Sequence, residues 1–352
     1  MPSRSSEIIN MPDTSACAHL LRPNGKQINA LCPSSFDDRA SGPDTFANHK
    51  LEYGRKLNNS SEIYRLPADE EELDRLNKQQ KMFIEIMGKY PPCLPGILQD
   101  DVPGEPKACL DLGCGSGAWI MELARDYPSS LALGIDLAPK QSTTMPDNCS
   151  VEVDDINLGL EHFYGKFNVV HAQLISSGIK NYEKLVDDIS CVLRPAGLMH
   201  ILEFDFHVYD HMPDGAHRRC DLDTSDIAGP WFARWMIFAN MAIRKAGGHP
   251  DAATHLRRWT AEHPDLGDVV SHDYWIPVSP HSTFNVFQRH IGVQMREDVT
   301  SFLKSGRPLL LGNGVSEQIV DELQRNAEHE LRTAALPQYI RVQSVYCRKK
   351  VY

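Results

Sequence analysis

Three glycines at alternate positions form the most informative motif, in the run Leu110-Asp111-Leu112-Gly113-Cys114-Gly115-Ser116-Gly117-Ala118. An apolar segment precedes these glycines and an amphipathic segment follows them, which predicts a strand, a tight turn and a helix. Glycines let a ligand lie against bare backbone, and the start of a helix offers free amides. The motif therefore predicts a nucleotide-like ligand at the carboxyl end of this strand.

The acidic residues near the glycines indicate which nucleotide is bound. The spacing Gly113-x-Gly115-x-x-Ala118 also satisfies the dinucleotide fingerprint, so an NAD-dependent oxidoreductase is one alternative. Asp111 would repel a pyrophosphate but would attract a ligand that carries an ammonium and a sulfonium. Asp136, nineteen residues beyond Gly117, is placed to accept the ribose hydroxyls of either cofactor. The residues favour S-adenosylmethionine over NAD.

Several side chains near the strand ends are candidates for the chemistry of an acceptor. His171 and His207 are candidate catalytic bases, although a structural role is the alternative for each, and a base is needed only if the acceptor must lose a proton. Glu203 and Asp205 could orient an acceptor hydroxyl or amine, or could simply face water. We expect all of these groups at one edge of the sheet.

Aromatic residues are concentrated just after these groups. Trp231 and Trp235 are four residues apart, a spacing that predicts one face of a helix. Such a stripe is typical of a helix core, but if it faces the cofactor it would form an apolar wall for an aromatic or lipid-like acceptor. Trp231, Trp235 and Phe206 are therefore the candidate substrate-binding residues.

The elements that must position these residues alternate along the chain. Short apolar strands separated by amphipathic helices predict a parallel sheet covered on both faces. Asp69 and Glu72 predict a capping box at the start of an earlier helix. The expected parts are a disordered tail (1–48), a helical cap (49–106), a nucleotide-binding core (107–204), a helical lid that binds substrate (205–266) and the end of the core (267–352).

Composition limits the other classes of function. A net charge of −11 makes nucleic acid a poor partner. Nine cysteines without a C-x-x-C pair, and no secretory signal or membrane span, predict a cytoplasmic protein with reduced thiols. No cluster of residues has metal-binding spacing, so we expect no metal site and turnover without a divalent ion.

With these residues in place, the sequence resembles the class I S-adenosylmethionine-dependent methyltransferases, whose first motif is acid-x-Gly-x-Gly-x-Gly. Over residues 53 to 352 it is similar to the fungal LaeA-like methyltransferases of secondary metabolism, through Tyr64-Arg65-Leu66-Pro67-Ala68-Asp69, His171-Ala172-Gln173 and Val345-Tyr346-Cys347-Arg348-Lys349-Lys350. It departs from them at Gln80, where many carry His, and at Gln173, where Arg is usual.

The resemblance implies a Rossmann-like α/β fold with a seven-stranded, mostly parallel sheet, helices on both faces and a helical lid insertion. It implies cofactor contacts from Tyr64, Asp111, Gly113, Gly115, Gly117, Asp136, Leu137, Asp154, Asp155, Ile156, Ala172 and Gln173. The implied reaction is methyl transfer to a small molecule, most simply to an oxygen of an apolar or aromatic metabolite, by a protein that could form a homodimer. A regulatory protein that binds the cofactor and acts through partners is the alternative.

Overall fold

The computed structural model describes residues 49–99, 104–138, 144–212, 216–223 and 227–352, so the predicted tail lies outside the described residues. The strands are β1 (His49–Glu52), β2 (Arg55–Asn58), β3 (Ala108–Leu112), β4 (Leu131–Asp136), β5 (Cys149–Val153), β6 (Phe167–Gln173), β7 (Leu193–Phe204), β8 (Tyr209–His211), β9 (His217–Arg219), β10 (Leu266–Pro277) and β11 (Gln338–Lys349). The helices are α1 (Glu70–Met87), α2 (Leu94–Ile97), α3 (Ala118–Asp126), α4 (Tyr182–Val192), α5 (Trp231–Ala246), α6 (Ala252–Glu262), α7 (Val286–Ser305), α8 (Arg307–Gly312) and α9 (Glu317–Thr333).

Within the described residues, the main sheet has nine strands in the order β5-β4-β3-β6-β7-β11-β8-β9, and β10 also pairs with β11. The first five are parallel to one another, and β11 runs antiparallel to both of its long neighbours, β7 and β10. The predicted mostly parallel sheet is therefore confirmed, but the count of seven strands is wrong, because β8 and β9 extend the described sheet to nine strands. The carboxyl ends of β3, β4 and β6 meet at one edge, which places the glycine loop beside the predicted acidic residues.

Two apolar layers cover opposite faces of this sheet. On one face, Cys109 and Val169 pack with Trp119 and Leu123 of α3. On the other face, Leu110 and further apolar strand residues pack against α4 and α6. Because side chains alternate along a strand, Asp111 lies on the α3 face together with Cys109.

A third cluster combines α5, α7, α8 and α9 with part of α1 and with residues of β7, β10 and β11. The segment after β7 contains the predicted helices, but it starts with a β8–β9 hairpin that the aromatic composition did not predict; β8 extends the sheet along β11. Helix α5 packs against α8 and α9, so this segment joins the third cluster.

The start of α1 follows the predicted cap only in part. The Asp69 carboxylate accepts from the Glu72 amide, as expected for an N-cap. The Glu72 side chain does not return to the cap, because it is buried and accepts hydrogen bonds from Arg75 and Ser305. The charged hydrogen bonds that Glu72 accepts from Arg75 are stronger than the bond to the cap amide would be, so Glu72 turns inward.

Candidate cofactor and acceptor site

The glycine loop has the backbone geometry that its sequence requires. Gly113, Gly115 and Gly117 have φ of 70°, 53° and 73°, in the left-handed region that disfavours side chains. A Cβ on Gly113 would lie 2.5 Å from Cγ2 of Ile175. The Gly113 amide donates to the Ile135 carbonyl at 2.8 Å, which ties the loop to β4. The loop is therefore a fixed turn with little room for side chains.

A cleft opens at this loop and encloses about 1500 Å³, counting the space at its mouth. Twelve of the predicted site residues line it: Tyr64, Asp111, Gly113, Gly115, Asp136, Leu137, Asp154, Asp155, Ile156, His171, Gln173 and Phe206. Gly117 and Ala172 do not line it. Gly117 is the N-cap residue of α3, and Ala172 points into the opposite core layer, so each supports the cleft from behind.

Asp136 holds the loop from the end of β4. Its carboxylate accepts from the Gly115 amide at 2.9 Å and from the Ala138 amide at 3.0 Å. Burial raises the pKa of Asp136, with a further contribution from the charge of Asp111. The side chain therefore shapes the loop and faces the cleft, where a ribose diol could donate to it.

The two acids after β5 have different local partners. Asp155 caps the short turn that follows and accepts from the Asn157 amide at 2.9 Å. Asp154 lies 3.0 Å from Nε2 of His162. Both acids line the cleft, and each already has a partner at hydrogen-bond distance.

Asp111 and His171 form a buried pair beneath the loop. Oδ1 of Asp111 lies 2.9 Å from Nδ1 of His171, and the two side chains are 4 % and 1 % exposed. Burial raises the pKa of Asp111 and lowers that of His171 to about 3. The imidazole is therefore neutral at physiological pH, and its Nδ1 lies within hydrogen-bond distance of the carboxyl group.

Gln80 and Gln173, the two departures from the LaeA-like pattern, are in contact. The amide of Gln173 donates to Oε1 of Gln80 at 3.1 Å, although the residues are 93 positions apart. Both line the cleft, and both also line a smaller cavity behind it. The pair forms part of the partition between the two cavities.

The part of the cleft away from the glycine loop is mainly apolar. Its wall includes Phe83, Phe204, Phe206, Phe232, Phe302, Met236 and Met295. The rings of Phe204 and Phe206 have centroids 4.0 Å apart, and Phe302 packs edge-on against Phe204. This chamber has the aromatic lining that an apolar acceptor needs.

A buried charged network borders the same chamber. Arg75 donates to Glu72 at 2.7 Å and to Asp298 at 2.8 Å, and Gln79 donates to Asp298 at 3.0 Å. Sequence reasoning missed this network as part of the site. The available signal was a run of polar residues on one face of α1, at positions 72, 75, 79 and 80, where an amphipathic helix would bury apolar ones.

Three predicted residues lie away from the cleft. His207 is near Asp251, 3.6 Å away, and near Arg219, 3.3 Å away, and burial lowers its pKa. Trp235 is fully buried and packs edge-on against Phe302. Trp231 starts α5 next to Glu330, which accepts from its amide. On α5 it is Phe232 and Met236, one residue further on, that face the cleft.

Glu203 and Asp205 are buried structural anchors. Oε1 of Glu203 accepts from the amides of Ile175 and Ser176 and from the Tyr182 hydroxyl, which fixes the loop after β6. Asp205 accepts from Tyr209 and Arg341. Neither lines the cleft, so their partners favour a structural role over contact with an acceptor.

The sheet order and the acidic glycine cleft define the architecture of a class I methyltransferase. A model of the methyltransferase domain family matches residues 109–197. The chain is 46% identical to the secondary metabolism regulator laeA of Coprinopsis cinerea, over 91% of this chain and 80% of that protein. It is 30% identical to the protein-methionine methyltransferase laeA of Emericella nidulans, over 41% of this chain and 37% of that protein. Phosphoethanolamine N-methyltransferase 2 of Haemonchus contortus, solved with S-adenosyl-L-methionine, is 15% identical with a TM-score of 0.42, over 78% of this chain and 57% of that one.

The chain belongs to the LaeA-like family of class I S-adenosylmethionine-dependent methyltransferases. Its cofactor is S-adenosylmethionine, and the cleft fits that molecule. The carboxyl groups of Asp111 and Asp136 line the cleft and suit a positively charged ligand, and Gly113 and Gly115 leave the backbone bare. Within the described ranges, no three His, Cys, Asp or Glu side chains are grouped to hold a metal ion. No helix in the described part of the chain is long and apolar enough to span a membrane.

Proposed function

We propose that the protein transfers a methyl group from S-adenosylmethionine to an oxygen of a small apolar or aromatic metabolite. The observation that carries this proposal is the continuity of the cleft, which runs from the glycine loop into a chamber walled by Phe204, Phe206 and Phe302. Aromatic walls favour planar, weakly polar acceptors because they bury apolar area and stack against rings.

The residues around the cleft have separate tasks in this proposal. Asp136 accepts from the ribose hydroxyls, Asp154 from the adenine amino group, and Asp111 with Gln173 faces the methionine end. The bound cofactor supplies an electrophilic methyl group on a sulfonium. The protein contributes orientation and a dry chamber that holds the acceptor oxygen at about 3 to 3.5 Å from the methyl carbon.

The surroundings of the chamber favour an acidic hydroxyl as the acceptor. His207 is away from the cleft, and burial lowers the pKa of His171 to about 3, which makes its imidazole a weak base. An acceptor that ionises readily, such as a phenol or an enol, depends least on a protein base. Phenolic and enolic hydroxyls on apolar rings are therefore the proposed substrate class.

A regulatory protein that binds the cofactor and acts through protein partners is the second candidate. It is favoured by the 46% identity, over most of the chain, to a protein named as a regulator of secondary metabolism. In this account the cleft would bind the cofactor, and the aromatic chamber would not turn over a free metabolite.

The two candidates are separated by an acceptor screen with S-adenosylmethionine labelled in its methyl group. The panel contains phenols, enols, amines, thioethers and methionine-containing peptides, and mass spectrometry locates the label. Gly115→Leu serves as the control without cofactor, since its side chain would occupy the ligand's place. Label on phenolic or enolic oxygen supports the first proposal. Label on nitrogen, on sulfur or on the protein itself contradicts it, and cofactor binding without any transfer favours the regulator.

A further inference from the structure

Asp111 and His171 are register partners on neighbouring parallel strands, β3 and β6. Both side chains lie on the α3 face of the sheet, where Trp119 stacks flat on the imidazole with centroids 3.8 Å apart and planes 7° apart. The ring is therefore fixed in one plane, with Nδ1 directed at Oδ1 of Asp111 at 2.9 Å.

An isolated carboxylate at this depth would be protonated, because burial disfavours its charged form. A hydrogen bond donated to the carboxylate favours ionisation, and so does a cation nearby. A neutral His171 with its proton on Nδ1 would supply the first, and the cofactor, which carries an ammonium and a sulfonium, would supply the second.

We propose that His171 is a positioning residue that keeps Asp111 ionised and aimed at the positive charge of the cofactor. The inference rests on the proposed placement of the methionine end beside Asp111 and is independent of which acceptor is methylated. His171 acts through Asp111, so its effect must depend on the charge of the ligand.

Two ligands separate this effect from ordinary structural support. S-adenosylmethionine carries the positive charges, whereas 5′-methylthioadenosine has the same adenine and ribose with neither the ammonium nor the sulfonium. Loss of the aimed carboxylate should weaken the first ligand and leave the second unchanged. A general distortion of the cleft should weaken both.

Three substitutions test the pair by calorimetry. His171→Phe keeps a ring against Trp119 but has no donor, so we expect its affinity for S-adenosylmethionine to fall by about 10- to 100-fold. His171→Asn places a carboxamide N–H near the position of Nδ1 and should restore most of the affinity. His200→Phe is the matched control: His200 is a buried ring on the next strand that packs against His171, with centroids 5.2 Å apart, but has Ser344 rather than Asp111 as its polar partner.

The pH profile gives a second readout. The affinity for S-adenosylmethionine is lost as pH falls through the pKa of Asp111, since the carboxylate binds the cation. Without the His171 donor that pKa is higher, so in His171→Phe the loss begins at a higher pH. The other groups that interact with Asp111 are Asp136, Cys114 and Cys149. Asp136 faces the ribose that both ligands share, so the pH dependence of the affinity for 5′-methylthioadenosine measures the contribution of Asp136.

Each result decides for or against the pair. Equal weakening of both ligands in His171→Phe, or no weakening, overturns the proposal. If Asp111→Asn also leaves S-adenosylmethionine binding intact, then the placement of the cofactor is wrong as well; if it weakens binding, only the role of His171 fails. Should His171→Phe not fold, nitrogen NMR of the wild type decides: an Nδ1–H tautomer between pH 6 and 8 supports the proposal, and an Nε2–H tautomer overturns it.

Discussion

At the scale of single residues, Asp136 is expected to act on every adenine nucleoside that enters the cleft. It accepts from the Gly115 amide and is placed to accept from a ribose diol. Asp136→Ala should therefore weaken S-adenosylmethionine and 5′-methylthioadenosine alike, by about 1.5 to 3 kcal/mol, the usual value for hydrogen bonds to a charged group. Calorimetry measures both, with the exposed Asp221→Ala as control. A loss confined to one ligand would contradict the assignment to the ribose.

Glu203 should give the folded protein a pH dependence of its own. Burial raises its pKa from 4.5 to about 7, so the folded state binds a proton that the unfolded state releases between these values. Stability should therefore fall by about 3 kcal/mol as pH rises from 4.5 to 7, and then level off. Glu203→Gln keeps an acceptor for the Ile175 and Ser176 amides but lacks this slope. Urea unfolding of both proteins across this range measures the difference; parallel curves would show that Glu203 does not titrate.

Residues whose roles are set by the local chain were predictable from the sequence. Asp111 lies near the end of the apolar strand β3, the glycine loop follows that strand, and Asp136 ends β4; the ends of parallel strands must meet at one edge. Arg75 and Asp298 were not predictable as a pair, because 223 positions separate them and no short-range pattern brings them together. Glu72 shows the same limit, since its local signal indicated a cap and its burial gave it another partner.

At the scale of elements, helix α5 shows why apolar periodicity failed to select the wall of the chamber. Both of its long faces are apolar, since one contacts the cleft and the other packs against α8 and α9. The i, i+4 spacing of Trp231 and Trp235 is matched by that of Phe232 and Met236. A sequence pattern finds such a helix but does not indicate which face meets the ligand.

Two substitutions on α5 separate these faces. Trp235→Ala should cost about 3 to 5 kcal/mol of stability, because it empties a fully buried site, and cofactor binding should suffer with it. Phe232→Leu nearly conserves volume, so it should cost less than about 1.5 kcal/mol and mainly raise the KM for the acceptor. Thermal melts beside steady-state kinetics measure both. If Trp235→Ala has normal stability and a raised KM, the sequence-based prediction that Trp235 binds the acceptor is supported instead.

At the scale of the whole molecule, the cleft is closed by elements from distant parts of the chain. The glycine loop and the acids come from the sheet, whereas the chamber is completed by α1 from before it and α7 from after it. The parallel sheet could be predicted from the alternation of strands and helices, because parallel strands need crossover connections. The contact between α1 and α7 could not be predicted in this way, since it depends on side chains that are far apart in the sequence and buried between the helices.

The buried network of Arg75 should be the strongest single link between these two helices. Arg75→Ala leaves the buried carboxylates of Glu72 and Asp298 without a cationic partner, which should cost about 3 to 5 kcal/mol of unfolding free energy at pH 8. Burial already raises the pKa of Asp298, and loss of the guanidinium raises it further. At pH 5 the variant can protonate Asp298, so its deficit relative to the wild type should shrink as pH falls. Arg65→Ala, which breaks a pair with the exposed Glu62, should cost at most about 1 kcal/mol. Guanidinium unfolding at both pH values measures the free energy of unfolding of the wild type and the two variants. A deficit in Arg75→Ala that is small or independent of pH would show that the network does not hold the helices together.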